Sequence, residues 1–560
     1  MVEPQPPHMV NNRAQSTPTL VQDSATSALW TLMSRATGFI RLVLIGAVLG
    51  PTYFNNIFQL ANQLPWIVFE FAVGAFLGAL LVPAMMPHIT AGDIGGAERL
   101  AGRFLGLVIA AFGGLTLLMV ATSPLLARLF TLGSDHHTAT GTMTNASILL
   151  IVLTAPQLLG YGIAVTGQAV QHAFGEFAVP AAASIAENVT LIAALGVYAL
   201  QYGTGTALGD VGVGHMLLLG GGSTLGVVLH ATIQWWGARR LGLRIRPRRD
   251  WHDPEVAAII AQIRPTTVAA VANGARMLLL IVACNAVAGG VGAFQVGLAV
   301  LNLPVAFACK PVSYALLPRL AALSTGGDRA RLADAYRSGV GLAALIAVPA
   351  AVAMLALGTF AGPIAAVGEM ASGDGPRLIS FAVIAMAGSV VGEGLIQIAT
   401  PAAYSQGDAA GATRITLMRL GLTVMGAAVV WLLLSGAWIV LGLGLAMTIA
   451  DIVAAIALHH RLSRRLARTS SVGGYELARS LRATLRASVA AFGTAGAVVA
   501  FLVITLGLND FASSSLATAL AIAGVVGYLG LRNRSDGELA ALRAELRPGH
   551  QPSTDAVTSR

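Results

Sequence analysis

Of the 560 residues in this chain, 56% are apolar and only 11% charged, far below the roughly 25% charge of a soluble protein. That balance excludes a soluble enzyme and describes a polytopic membrane protein. The net charge of +9 does not make the chain a nucleic-acid binder, because its basic residues collect in alternate loops between apolar spans.

In chain order, residues 1–24, with PQPP and scattered Asn, Ser and Thr, cannot bury a core and are expected to form a disordered cytoplasmic tail. About fourteen apolar spans follow, near 26–49, 57–86, 103–127, 146–171, 177–201, 213–237, 263–288, 293–318, 339–367, 378–403, 415–434, 437–460, 484–507 and 513–531. Spans of this kind cross a hydrocarbon core of ~30 Å as helices. The first is too long for a signal-peptide core, is interrupted by arginines and lacks a cleavage site, so it stays as a helix. Arginines cluster at 239–249, 319–337 and 461–486, whereas the loops AGGVGA, SGAW and LGLNDFASS are nearly uncharged. This alternation puts both termini in the cytoplasm. Cys284 and Cys309 fall inside spans, which argues against a structural disulfide.

The expected architecture is an all-α integral membrane protein of about fourteen transmembrane helices. Two pseudo-symmetric six-helix lobes occupy 25–240 and 263–463, joined by a basic cytoplasmic linker at 241–262. A cytoplasmic loop and two C-terminal helices fill 464–531. A charged cytoplasmic tail at 532–560 contains a candidate amphipathic surface helix at 538–546. The lobes are suggested by a faint repeat. Leu60 to Asp93 and Leu298 to Asp328 each carry a Leu-Pro near the start, a second proline near the end (Pro83, Pro318) and a GD loop beyond. Each copy follows a span with a central arginine, Arg41 or Arg276. Both copies run in the same expected direction, so the repeat axis lies along the membrane normal.

One family resemblance emerges from these motifs. SRxxGFxR at Ser34, Arg35, Gly38, Phe39 and Arg41, Leu64–Pro65, Val82–Pro83, the NLP…LLPRL pattern of the eighth span and AYSQGD from Ala403 to Asp408 resemble the MurJ (MviN) flippases. These belong to the multidrug/oligosaccharidyl-lipid/polysaccharide exporter superfamily. The resemblance implies a bacterial cytoplasmic membrane protein that moves lipid II, the undecaprenyl-pyrophosphate-linked peptidoglycan precursor, by alternating access. Leu42, Asn56, Phe69 and Leu298–Ala299 stand where that family commonly has charges.

An intramembrane guanidinium costs roughly 2.5–3.5 kcal/mol on insertion scales, so it normally faces a polar cavity or a partner. Arg35 and Arg41 lie ~9 Å apart along a helix axis and about 120° around it, whereas Ser34 and Arg41 share a face. Both arginines are candidate contacts for an anionic headgroup; either could instead snorkel or pair with an acid, Glu70 being the favoured partner of Arg41. Arg276 and Lys310 are further mid-helix cations. They either join Ser34, Arg35 and Arg41 in binding substrate or sit in ion pairs. The intramembrane acids Glu70, Glu187, Glu393 and Asp451 are candidate gates or ion-coupling sites. For Glu187 and Asp451 the plainer reading is satisfaction of a neighbouring arginine or backbone group.

The glycine-rich stretch at 213–226 lies inside a span and reads as helix packing rather than a phosphate loop. His136–His137 and His459–His460 lack the further ligands of a metal site and read as loop or helix-end residues. No nucleophile–base constellation is present, so a transporter is expected rather than an enzyme. The leading function is a lipid II flippase with a cationic cavity between the lobes. It needs no cofactor and is driven by the membrane potential or by coupled H+ or Na+. The alternatives are a flippase for another undecaprenyl-linked glycan, an ion-coupled drug antiporter, which calls for an acidic cavity, and a non-transporting scaffold. Expected partners are lipid II or a related glycan lipid, membrane lipid and, for a scaffold, cell-wall synthesis or division proteins.

Overall fold

The computed structural model describes residues 17–70, 75–131, 140–250, 253–326, 328–466 and 473–535. Among these are twenty α-helices and no strand. The expected surface helix at 538–546 and His136–His137 lie outside the described residues. Thirteen helical spans among the described residues are long and apolar enough to cross a membrane. The expected span at 57–86 includes residues 71–74, which are not among the described residues, and it is not one of the thirteen. Cys284 and Cys309 are both free and buried.

One compact unit takes the chain to Gly292, together with Gly368–Met370. It contains α1 (Thr17–Leu49), α2 (Tyr53–Phe69), α3 (Ala75–Thr90), α4 (Ile94–Ala121), α5 (Ser123–Phe130), α6 (Thr140–Thr154), α7 (Pro156–Ala173), α8 (Ala178–Tyr202), α9 (Val213–Arg240) and α10 (Pro254–Ala283). Helix α1 takes in residues 17–24, which the sequence assigns to a disordered tail. The proposed linker at 241–262 does not separate two units either. It docks on α4, and from Pro254 on it is already helix α10, which packs against α2, α3 and α4.

The docking has a local cause. Gly102 and Gly106 leave a groove on α4 in which a Cβ would meet the carbonyl oxygens of Arg246 and Arg248. The Arg248 N–H donates to the Gly102 carbonyl at 2.9 Å. Arg103 then reaches Asp250 at 2.8 Å and Asp253 at 2.7 Å, and the Arg244 N–H donates to Glu98 at 2.6 Å. A basic segment that reads as a free connector is thus held along a helix.

The other unit takes Ala293–Val367 and the chain from Ala371. It contains α11 (Gly290–Pro304), which starts at the junction, then α12 (Lys310–Thr325), α13 (Arg329–Leu357), α14 (Ala361–Ala365), α15 (Gly375–Ser405), α16 (Ala409–Leu433), α17 (Trp438–Leu466), α18 (Gly473–Ser488), α19 (Thr494–Leu506) and α20 (Asp510–Ser535). Helices α15 and α17 form its centre, close enough that a Cβ on Gly392 would meet the Asp451 backbone at 2.8 Å. The C-terminal helices attach to α13, where the Tyr528 hydroxyl donates to the Leu345 carbonyl at 2.8 Å. Leu200 in the first unit and Leu432 and Ile504 in the second are 90%, 83% and 81% exposed, as lipid-facing side chains are.

The repeat seen in the sequence corresponds to a repeated helix break. Pro304 has no N–H to donate and removes one rung of α11. The chain widens into a π-turn at Val305–Cys309 before α12 restarts at Lys310. After Pro65 in the first unit, α2 ends at Phe69 and Glu70 is again in π conformation. The GD loops cap the helices that follow. Asp93 accepts the Gly96 N–H at 2.8 Å and Asp328 accepts the Arg331 N–H at 3.0 Å, satisfying donors that a helix start leaves open.

Candidate functional site

Helices α1 and α8 meet along a polar seam. Ser34, Thr37 and Arg41 recur at the spacing that keeps one helical face. Opposite them, α8 presents Ser184, Glu187 and Asn188. The Ser34 and Ser184 hydroxyls are 2.7 Å apart. Asn188 donates to the Ser34 carbonyl at 3.2 Å and to the Thr37 hydroxyl at 3.0 Å. At the end of this seam Arg41 Nη1 donates to Glu187 Oε1 at 3.3 Å.

Glu187 has two further partners from neighbouring helices. The Tyr161 hydroxyl of α7 donates to Oε1 at 3.3 Å, and His230 Nδ1 of α9 lies 3.2 Å from Oε2. Gln234 Nε2 is 3.3 Å from the far ring nitrogen of His230. An Nδ1–H tautomer satisfies both contacts, donating to Glu187 and accepting from Gln234. Trp66 of α2 packs edge-on to Tyr161 at 5.2 Å. The pair is not sealed, since the side chains of Arg41 and Glu187 are 22% and 17% exposed. Arg41 Nε is buried without a hydrogen-bond partner.

This corrects one expectation. Arg41 pairs with Glu187, not with Glu70, because α8 lays its acidic face along the arginine face of α1, while Glu70 ends α2. Arg35 is exposed and off that face, with no ion pair among the described residues. Arg276 is 7% exposed within α10. Lys310, half-buried, opens α12 in the second unit.

That unit has its own buried charge cluster. Arg419 of α16 donates through Nε to Asp451 of α17 and through Nη2 to Glu393 of α15, both at 2.6 Å. Gln397 donates to the other oxygen of Glu393 at 2.8 Å. Arg419 and Asp451 are 5% and 0% exposed. Sequence reasoning singled out both acids but missed Arg419, which falls near the edge of the predicted span at 415–434 and reads there as an anchoring residue. It also missed Tyr161 and His230, whose uncharged forms disturb no apolar pattern.

The two clusters occupy matching positions of the repeat. Tyr161 lies fifteen residues before Glu176, and Glu393 fifteen before Asp408; Glu187 lies eleven after the first acid, and Arg419 eleven after the second. Both reference acids follow a turn glycine, Gly175 or Gly407, with φ of +80° or +69°. The first cluster therefore centres a carboxylate between cationic and neutral groups, and the second centres a guanidinium between carboxylates.

An all-helical membrane chain with a repeated, proline-broken helix and an intramembrane charge cluster in each unit defines a protein of the exporter-superfamily fold. The solved structure described as "Lipid II flippase MurJ, inward closed conformation" covers 93% of this chain and 99% of its own, at a TM-score of 0.65 and 15% identity. An inward-facing multidrug resistance MATE family transporter covers 80% of this chain at a TM-score of 0.60 and 16% identity. The family described as "Lipid II flippase MurJ" matches residues 45–526, and the chain belongs to that family. The probable lipid II flippases MurJ of Haemophilus influenzae and Rhizobium meliloti are 27% and 29% identical, each over 348 residues. The matches cover 58% and 60% of this chain and 64% and 62% of those relatives, less than two thirds of their length.

Proposed function

We propose that the protein flips lipid II from the cytoplasmic to the outer leaflet of a bacterial plasma membrane, with both termini cytoplasmic. Family membership over residues 45–526 supports this substrate class. The observation that carries the mechanism is Arg41, held near Glu187 by a single 3.3 Å contact and still partly accessible. A guanidinium keeps its charge when desolvated and binds phosphate oxygens through two parallel N–H donors. A pyrophosphate reaching Arg41 therefore competes with Glu187. Tyr161 and His230 continue to satisfy the carboxylate when the arginine leaves, which avoids the cost of a bare buried charge. Arg35, Ser34, Arg276 and Lys310 are the further proposed substrate contacts. The membrane potential, about 2.3 kcal/mol per charge per 100 mV, favours return of the unloaded cations.

Native mass spectrometry of the purified chain with lipid II tests this. Arg41→Ala loses about ten-fold or more in binding, the size of one charge-assisted hydrogen bond. Glu187→Gln removes the competitor and tightens binding several-fold. Unchanged binding in both variants takes Arg41 out of the substrate path.

A further inference from the structure

The second unit has a basic pocket that the transport reading leaves unused. It measures about 530 Å³ and opens where α12, α13, α15 and α17 end, with Arg329, Arg464 and Arg465 on its walls. This lies within the ~300–1,000 Å³ range of small-ligand sites.

Two of its three guanidiniums, those of Arg329 and Arg464, are uncompensated. Asp408, the acid beside the pocket, is already held by Arg461 at 2.6 and 2.9 Å and by Arg465 at 3.1 Å. Asp328, next to Arg329 in sequence, is taken by Arg331 at 3.3 Å. Arg329 and Arg464 make no ion pair among the described residues. Arg329 is also the first residue of a 29-residue helix, where the helix dipole adds positive potential. Like charges gathered in one concavity repel each other unless an anion enters.

The rest of the lining indicates which anion. Leu332 and Leu466 are buried pocket residues, and Ser324 stands beside the arginines. Apolar walls next to phosphate-binding guanidiniums suit an amphiphile better than a free ion. The helix ends concerned carry the basic loops of the positive-inside pattern, and basic pockets between helices on that side receive anionic headgroups. We propose that this pocket binds the phosphodiester headgroup of an acidic membrane phospholipid, stapling the ends of four helices. The proposal does not depend on lipid II transport.

The test uses the full chain in neutral detergent, with binding read by native mass spectrometry for three probes: dioctanoyl phosphatidylglycerol, dioctanoyl phosphatidylcholine and inorganic phosphate. The expected result is phosphatidylglycerol bound at least ten-fold more tightly than either other probe. R329Q/R464Q should lower that affinity about ten- to thirty-fold, whereas R329K/R464K and the distant R239Q should retain it. Should R329Q/R464Q fail to fold by circular dichroism, the single Arg464→Gln, at an exposed helix end, should give a smaller loss in the same direction. Equal binding of phosphatidylglycerol and phosphatidylcholine overturns the proposal, as does a wild-type affinity in the glutamine variants. Inorganic phosphate binding as tightly as phosphatidylglycerol overturns the lipid assignment.

Discussion

Arg41 and Arg419 are both intramembrane guanidiniums, but their surroundings differ in kind. Arg41 has one contact at 3.3 Å and partial exposure; Arg419 has two contacts at 2.6 Å and 5% exposure. The first arrangement is releasable and the second is a fixed crosslink of α15, α16 and α17. Arg419→Met should therefore destabilise the protein by about 3–5 kcal/mol, because it leaves two carboxylates without their shared cation. Arg419→Met with Glu393→Gln and Asp451→Asn should recover most of that loss, read as thermal unfolding midpoints in detergent. Equal midpoints for Arg419→Met and wild type would remove the crosslink from the stability of the unit. Arg35, Arg41, Glu187, Glu393 and Asp451 were legible in the sequence as charges inside apolar spans. Their pairing was not, because it depends on which helices pack together, and Tyr161 and His230 give no hydropathy signal.

At the level of elements, two connections carry more structure than their composition suggests. Gly106→Val should dislodge the 241–250 segment from α4, since even a Cβ there overlaps the Arg248 backbone. The rate of limited trypsin cleavage at Arg244–Arg249 should rise several-fold, and an unchanged rate would contradict the docking. The turn before α16 has a pH dependence of defined sign. The hydrogen bond from Arg461, reinforced by the charge of Arg465, holds the Asp408 carboxyl below the usual carboxylate range against the opposing effect of burial. A carboxyl more acidic folded than unfolded adds stability above its unfolded pKa of about 3.9 and loses it as pH falls through the folded value. Wild type should thus exceed Asp408→Asn in unfolding midpoint at pH 7, and the gap should narrow progressively as pH falls below about 4. A gap that does not narrow at all as pH falls from about 4 to about 2 would assign it to something other than ionisation. The GD loops and the Leu-Pro pairs were readable as motifs, but their capping and helix-breaking roles were not. The docked linker was not, because Gly102 and Gly106 on α4 gain their meaning only when a second backbone lies in their groove.

Across the whole molecule, the family fold is combined with a repeat whose charge clusters have opposite polarity. About fourteen apolar spans were foreseen from hydropathy, and thirteen stand among the described residues; the proline repeat marked the matching segments, but not the helix breaks in them. The division at Gly292 was not, because α10 looks like the first helix of a second lobe by sequence and yet packs with α2, α3 and α4. Polarity inversion fits a division of labour in which one unit offers a releasable arginine to an anion while the other holds its helices fixed. The measurement that tests this account most directly is complementation in a bacterium depleted of its own lipid II flippase, reading lipid II on the outer leaflet. Wild type should restore surface lipid II, and Arg41→Ala, expressed and inserted at the same level, should leave at most about a tenth of it. Failure of the inserted wild type, or full restoration by Arg41→Ala, would contradict the account.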